Sequence, residues 1–227
     1  TDPSFVVATQ LGIYTASEVD ETKQPQLIHI ANASSKTANN SGAISGVHPC
    51  HITIDPSHKF AITSQYSSGT FDIFSLSING NIDKRLKTIK MVGSGPNKER
   101  QTGPHAHQCL FLQNSPQFVT VDLGADRINF YCFDEEQEEF LDEPMQSIKV
   151  PAGNGPRHLI FNKADIIKAI IPKGKNKGTW LGSVACRTSG SFNINLKKGR
   201  IQGINYKYCQ IIQKSDGYKY ITESREI

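Results

Sequence analysis

The chain is 227 residues long with 37% hydrophobic, 20% charged and 8% aromatic residues, an ordinary globular make-up of one domain or two small ones, which excludes a disordered tail. No apolar run approaches the roughly 18 residues of a membrane helix. The net charge of +4 conceals a split: residues 1–162 hold 12 Lys and Arg against 17 Asp and Glu, whereas residues 163–227 hold 13 against 4, a net of +9 in 65 residues.

In chain order, SFVVATQLGIYTASEVDETKQPQLIHIA reads as the back half of a repeat whose fuller copies follow. HPCHITIDPSHKFAITSQYSSGTFDIFSL from His48, PHAHQCLFLQNSPQFVTVDLGADRINFYCF from Pro104 and PRHLIFN from Pro156 share one pattern when His51, His107 and His158 are placed in register. The steps are 56 and 51 residues, close to one four-stranded propeller blade. Alternation at Phe71 and Ile73, and at Ile128 and Phe130, predicts strands with one buried face. Residues 48–162 are therefore expected to form two four-stranded blades and the start of a third, with no long helix. The acidic run 134–139 falls on an inter-strand turn as a solvated loop. All seven histidines lie before residue 163, so any proton chemistry is expected there.

The segments GVHPCHITIDP, GSGPNKERQTGPHAH, VTVDLGADRINFY and AGNGPRHLIFN resemble the lactonase family of seven-bladed β-propellers, which includes the 6-phosphogluconolactonases and a related muconate cycloisomerase. The resemblance covers residues 3–162. It implies a cleft for an anionic sugar lactone such as 6-phosphogluconolactone, with His107 as the base that activates water and Arg157 as the clamp for an anion or oxyanion. By the same motifs His51, Glu99, Arg100 and His105 either contact substrate or tie adjacent blades by hydrogen bonds, and Glu18 of SEVDE either lines the cleft or not. After HLIFN the family continues with a Y-x-x-N-E-L strand whose Glu belongs to its catalytic set; this chain has no such strand. About half a propeller is then expected, with open edges suited to self-association.

From residue 163 short apolar runs alternate with basic, Gly-containing turns, which predicts strands at 166–171, 179–187, 191–196, 200–205 and 208–213. An SH3-like barrel is the expected form. KAIIPKGKNKGTWLGSVACR, SGSFNI and QGINYKYCQIIQKSDGYKY resemble the C-terminal module of transposon-encoded HNH endonucleases, ancestors of RNA-guided nucleases. That resemblance implies contact with nucleic acid; Lys173, Lys175, Lys177, Arg187, Lys197, Lys198 and Arg200 are candidate phosphate contacts with Trp180, Tyr206 and Tyr208 as stacking groups, or else a solvated basic surface with those aromatics in a core.

The sequence-based expectation is an all-β chain: a partial propeller of about three blades over 1–162, then a basic barrel over 163–227. Lactone hydrolysis without metal or cofactor is the leading function, with nucleic-acid binding or a non-catalytic propeller fragment as rivals. The cysteines at 50, 109, 132, 186 and 209 form no C-x-x-C pair, and the first eight residues lack a signal-peptide layout. A cytoplasmic protein with packing cysteines and no membrane contact is expected.

Overall fold

The computed structural model describes residues 2–31, 38, 40–112, 117–134, 137–161, 166–170, 180–185, 195–196 and 199–200, with side chains as far as Leu159. These residues form an all-β protein in which antiparallel sheets follow one another along the chain, joined by turns and one 3-10 turn at Glu21–Lys23. No α-helix occurs among the described residues.

The first sheet contains β1 (Pro3–Thr9), β2 (Gly12–Ser17), β3 (Gln26–Ile30) and β4 (Asn40–Ala43). The second contains β5 (Pro49–Ile54), β6 (Phe60–Gln65), β7 (Thr70–Leu76) and β8 (Ile82–Lys90). In the third, β9 (Ala106–Phe111), β10 (Phe118–Asp122) and β11 (Arg127–Tyr131) precede a small hairpin of β12 (Phe133–Asp134) and β13 (Glu139–Phe140). Strand β14 (Gln146–Lys149) then returns to complete that sheet beside β11. The fourth sheet has three described strands, β15 (His158–Phe161), β16 (Ile166–Ile170) and β17 (Trp180–Ala185), and a short ladder joins β18 (Asn195–Leu196) to β19 (Gly199–Arg200).

Two expectations change here. The opening segment is a complete four-stranded blade, not the back half of one, so the arc has three full blades and a fourth begun. A repeat anchored on histidines hides the first inner strand, because Ser4 and Phe5 stand where the next copy has Cys50 and His51. The second change is that the central strands are buried on both faces. Phe71 and Ile73 pack with Cys109, Phe118 and Tyr131 of the third blade, while Phe74 packs with Tyr14 and Leu27 of the first. A blade sandwiched between neighbours has no solvent face, which is why Phe71, Ile73, Phe74 and Leu76 of β7 are all buried although they do not alternate strictly. Tyr14 keeps its hydroxyl satisfied at this interface by donating to Gly80 O at 2.7 Å.

The boundary expected between residues 162 and 163 lies in a connection outside the described residues, and the strands on its two sides are hydrogen-bonded neighbours. His158 pairs with Ile170 and Leu159 with Ala169, and β16 in turn pairs with β17. The strands read from sequence at 166–171 and 179–187 thus coincide with β16 and β17. Most of the later segment, including Lys173, Lys175, Lys177, Arg187, Lys197 and Lys198, lies outside the described residues, and of Arg200 only the backbone pairing is described.

Candidate active site

The inner strands of the first three blades begin with the same irregularity. In each ladder to the next strand one residue is skipped: Ser4 between Pro3 and Phe5, Cys50 between Pro49 and His51, and His107 between Ala106 and Gln108. Such a bulge bends the strand and re-aims the extra side chain. Matching Pro49-Cys50-His51 and Ala106-His107-Gln108 to Pro156-Arg157-His158 puts Arg157 at the same place on the fourth blade. His107 therefore corresponds to Cys50 and Arg157, while His51 corresponds to Gln108. The register that superposes His51, His107 and His158 is off by one residue in the third blade, because Gln108 takes the place that histidine holds in the second.

At the first two joints the bulge side chain reaches forward to the next blade. Ser4 Oγ donates to Pro49 O at 3.0 Å, and Cys50 Sγ contacts Ala106 O at 3.7 Å and His107 O at 3.4 Å. Burial, helped by the negative charge of Glu18, pushes the Cys50 thiol up to about 12, so at neutral pH it keeps its proton. At the third joint the direction reverses. Arg157 Nε donates back to His107 Nε2 at 2.7 Å. Nε2 can accept only if the imidazole is neutral with its proton on Nδ1, and that buried Nδ1 has no hydrogen-bond partner. Burial, then the positive charge of Arg157, holds His107 down at about 3. The His158 ring meets His107 edge to face at 5.0 Å, and burial followed by Arg157 lowers its pKa too.

One residue further along, Gln108 connects three blades. Its Nε2 donates to His51 Nε2 at 3.3 Å and its Oε1 accepts from the backbone of Leu159. An amide nitrogen only donates, so His51 is also neutral with its proton on a partnerless Nδ1. Burial, then His158 and His107, holds it at about 3, and the Phe5 ring covers it at 4.2 Å.

His105 ties the third blade to the second. Its backbone N–H donates to Asp122 Oδ1 at 2.8 Å, its Nδ1 donates to Tyr66 O at 3.0 Å, and its ring stacks on Tyr66 at 4.4 Å. Tyr66 presents its edge toward His107 at 5.8 Å, and its hydroxyl accepts from Arg100 Nη2 at 3.3 Å. The site thus gathers His107, Arg157, His51, His105 and Arg100. Glu99 is exposed in the preceding turn, where its backbone N–H donates to Asn97 Oδ1. Glu18 is exposed just after β2, near enough for its charge to act on Cys50.

A single buried carboxylate braces the loops that carry both arginines. Asp126 accepts from Gly153 N and Gly155 N, each at 2.7 Å, and from Gln101 Nε2 at 2.8 Å. Gly155 has φ +51°, a backbone that disfavours a Cβ, two residues before Arg157. Sequence reasoning singled out neither Asp126, Gln108, Tyr66 nor the bulge position of Cys50. The only local sign of Asp126 was the small-residue turn LGAD.

The sequence model of the lactonase, 7-bladed β-propeller family matches residues 1–175. The chain belongs to this family. Among curated relatives of this lactonase-family chain, the 6-phosphogluconolactonase of Bacillus subtilis is 32% identical over 64% of the chain and 40% of its own length. That of Formosa agariphila is 28% identical over 70% of the chain and 47% of its own. The chain therefore spans less than half the length of these relatives. A crystal structure of a Bacteroides uniformis protein shares the fold with TM-score 0.68 at 22% identity, covering 89% of the chain and 56% of the other protein. The match of the family model beyond residue 162 agrees with the continuous sheet of β15, β16 and β17. The family match ends at residue 175 and does not extend over residues 176–227.

Chemically, this lactonase-family site pairs a neutral imidazole with a permanent cation. The imidazole can take a proton from water, and the guanidinium can hold a carbonyl oxygen as charge develops on it. Among the described residues no group of three or more His, Cys, Asp or Glu has the arrangement to hold a metal ion. No helix among them is long and apolar enough to cross a membrane.

Proposed function

We propose that the chain hydrolyses the ester bond of a sugar lactone of the 6-phosphogluconolactone type. The observation that carries this reading is the Arg157–His107 pair, 2.7 Å apart at matching sequence positions of consecutive blades. His107 Nε2 takes a proton from water as the water oxygen bonds to the lactone carbonyl carbon, and Arg157 balances the negative charge on the carbonyl oxygen. Collapse of the tetrahedral intermediate breaks the bond to the ring oxygen, which receives the proton from His107 and leaves as a hydroxyl of the open acid. The reading gains support from the names of the relatives above and from the second cation, Arg100, which suits a phosphorylated substrate. The test is the hydrolysis of freshly made 6-phosphogluconolactone against its spontaneous opening. A rate above background that falls about 10²-fold in His107→Ala is expected; no rate above background overturns the reading.

A second reading rests on the charge split: residues 163–227, at net +9, bind nucleic acid weakly and without sequence preference. Titration of a labelled duplex with the full chain should then show affinity falling by about 10³-fold between roughly 50 and 200 mM salt. Undetectable binding at the lower salt would dismiss it. A cytoplasmic location belongs to the same set of proposals, supported by cysteines without disulfide-type spacing, and cell fractionation that recovers the chain outside the cytoplasm would refute it.

A further inference from the structure

At two blade joints the bulge side chain donates forward to a backbone carbonyl, and these links are neutral and fixed. At the third joint the link is a guanidinium that donates to the one nitrogen His107 needs for taking a proton. A lone pair already accepting a hydrogen bond from a cation is closed to water. The base is therefore occupied in the free protein, and the group that occupies it is also the one best suited to bind an anion, through two parallel N–H donors.

We propose that Arg157 is a gate on His107: an anionic oxygen group, carboxylate or phosphate, draws the guanidinium off Nε2 and so frees the imidazole only when such a ligand is bound. The proposal rests on the lactonase reading for the identity of the freed base, but not for the gate itself. Three observations support it. His107 is 7% exposed, so bulk water cannot compete freely for Nε2. Its Nδ1 is buried without a partner, so the contact with Arg157 is the ring's one described hydrogen bond, and no other described group holds Nε2 when that contact breaks. The permanent charges acting on His107 are both positive, Arg157 and the Arg100 that bonds the Tyr66 hydroxyl, while burial keeps the neighbouring His158 and His51 from taking up protons readily. An arriving anion supplies the opposite sign and makes the imidazole more basic at the moment it is uncovered.

The experiment is 15N NMR of the full chain, with the His107 ring assigned by its loss in His107→Gln. In the free protein we expect a scalar coupling across the hydrogen bond between Arg157 Nε and His107 Nε2, and no titration of His107 near its ordinary value. Adding 6-phosphogluconate should abolish the coupling and raise the His107 pKa by about one unit or more. Gluconate and inorganic phosphate, added separately, show which of its two anionic ends opens the gate. In Arg157→Ala the raised pKa should appear without ligand and change no further when ligand is added, while Arg157→Lys should give a smaller rise. A free protein without the coupling, or one whose coupling survives all three anions in large molar excess, overturns the proposal even if Arg157→Ala does not fold. Release by ligand in a chain that turns over no lactone would uphold the gate and fail the hydrolase reading. Turnover with the coupling intact in the ligand complex would do the reverse.

Discussion

His51 and His107 are neutral for the same reason, burial with one nitrogen accepting a bond from a group that can only donate. This has a consequence for stability. In the unfolded chain a histidine binds its proton below about pH 6.5, whereas folded His51 does so only near 3. Between those values the unfolded state holds more protons, so stability is fully present above about pH 6.5 and is lost as pH falls toward 3. His51→Gln can still accept from Gln108 but cannot titrate. Urea midpoints of the wild type should fall more between about pH 7 and 5 than those of His51→Gln. Equal falls would show that His51 ionises as readily folded as unfolded. The motifs alone point to His107 and Arg157, yet their contact is not legible in sequence, because it depends on the bulged His107 meeting a residue 50 positions away, just before β15 of the next blade.

At the scale of elements, the loops before β9 and β15 deliver the site, and Asp126 in the β10–β11 turn holds both. Its carboxylate accepts three described N–H groups while only 2% exposed. Asp126→Asn leaves a single acceptor oxygen and sets an amide donor against other donors. We expect a loss on the order of 1–3 kcal/mol, which in a chain of this size is about 2–12 °C in Tm. KM for the lactone should rise with it, since Arg100 and Arg157 both lose their brace. Calorimetry showing an unchanged Tm would remove Asp126 from this role. The neighbouring Gly124 shows how tight the turn is: a Cβ there would lie 1.9 Å from Gly103 O, backbone that cannot move aside without shifting the strand that carries His107. Strand positions and turns were readable from alternation and from Gly, Asn and Asp punctuation. Which turn braces which loop was not, since a buried carboxylate and a solvated one look alike in sequence.

At the scale of the whole molecule, the blades are joined face to face through apolar interiors and the inner strands follow in chain order. The fourth sheet crosses the change in charge after residue 162, so the acidic and basic parts share one hydrogen-bonded unit there. A chain ending at 162 would leave β15 without β16 and β17. Its Tm should fall by several degrees relative to a chain ending at 185, at about 2–4 °C per kcal/mol, and Arg157, one residue before β15, should lose its hold on His107. Identical melting of the two would mean that residues 163–185 belong to a separate unit, as the charge split by itself implied. Val6, 59% exposed on the first inner strand, marks a face of the first blade that the described residues leave open. We propose self-association through such open faces, and sedimentation showing only monomer at high concentration would dismiss it.

By itself the sequence determined that the chain is all-β and that its repeat is about one blade long, and it singled out GPHAH and GPRH as candidate site segments, because strand alternation, turn residues and short motifs are local properties. Tertiary structure alone decided the first complete blade, the one-residue shift that sets His107 opposite Cys50 and Arg157, and the continuity of the fourth sheet past residue 162. Each of these depends on register between strands far apart in sequence. Register is set by backbone pairing and by the burial of both faces of every central blade, which no single segment records.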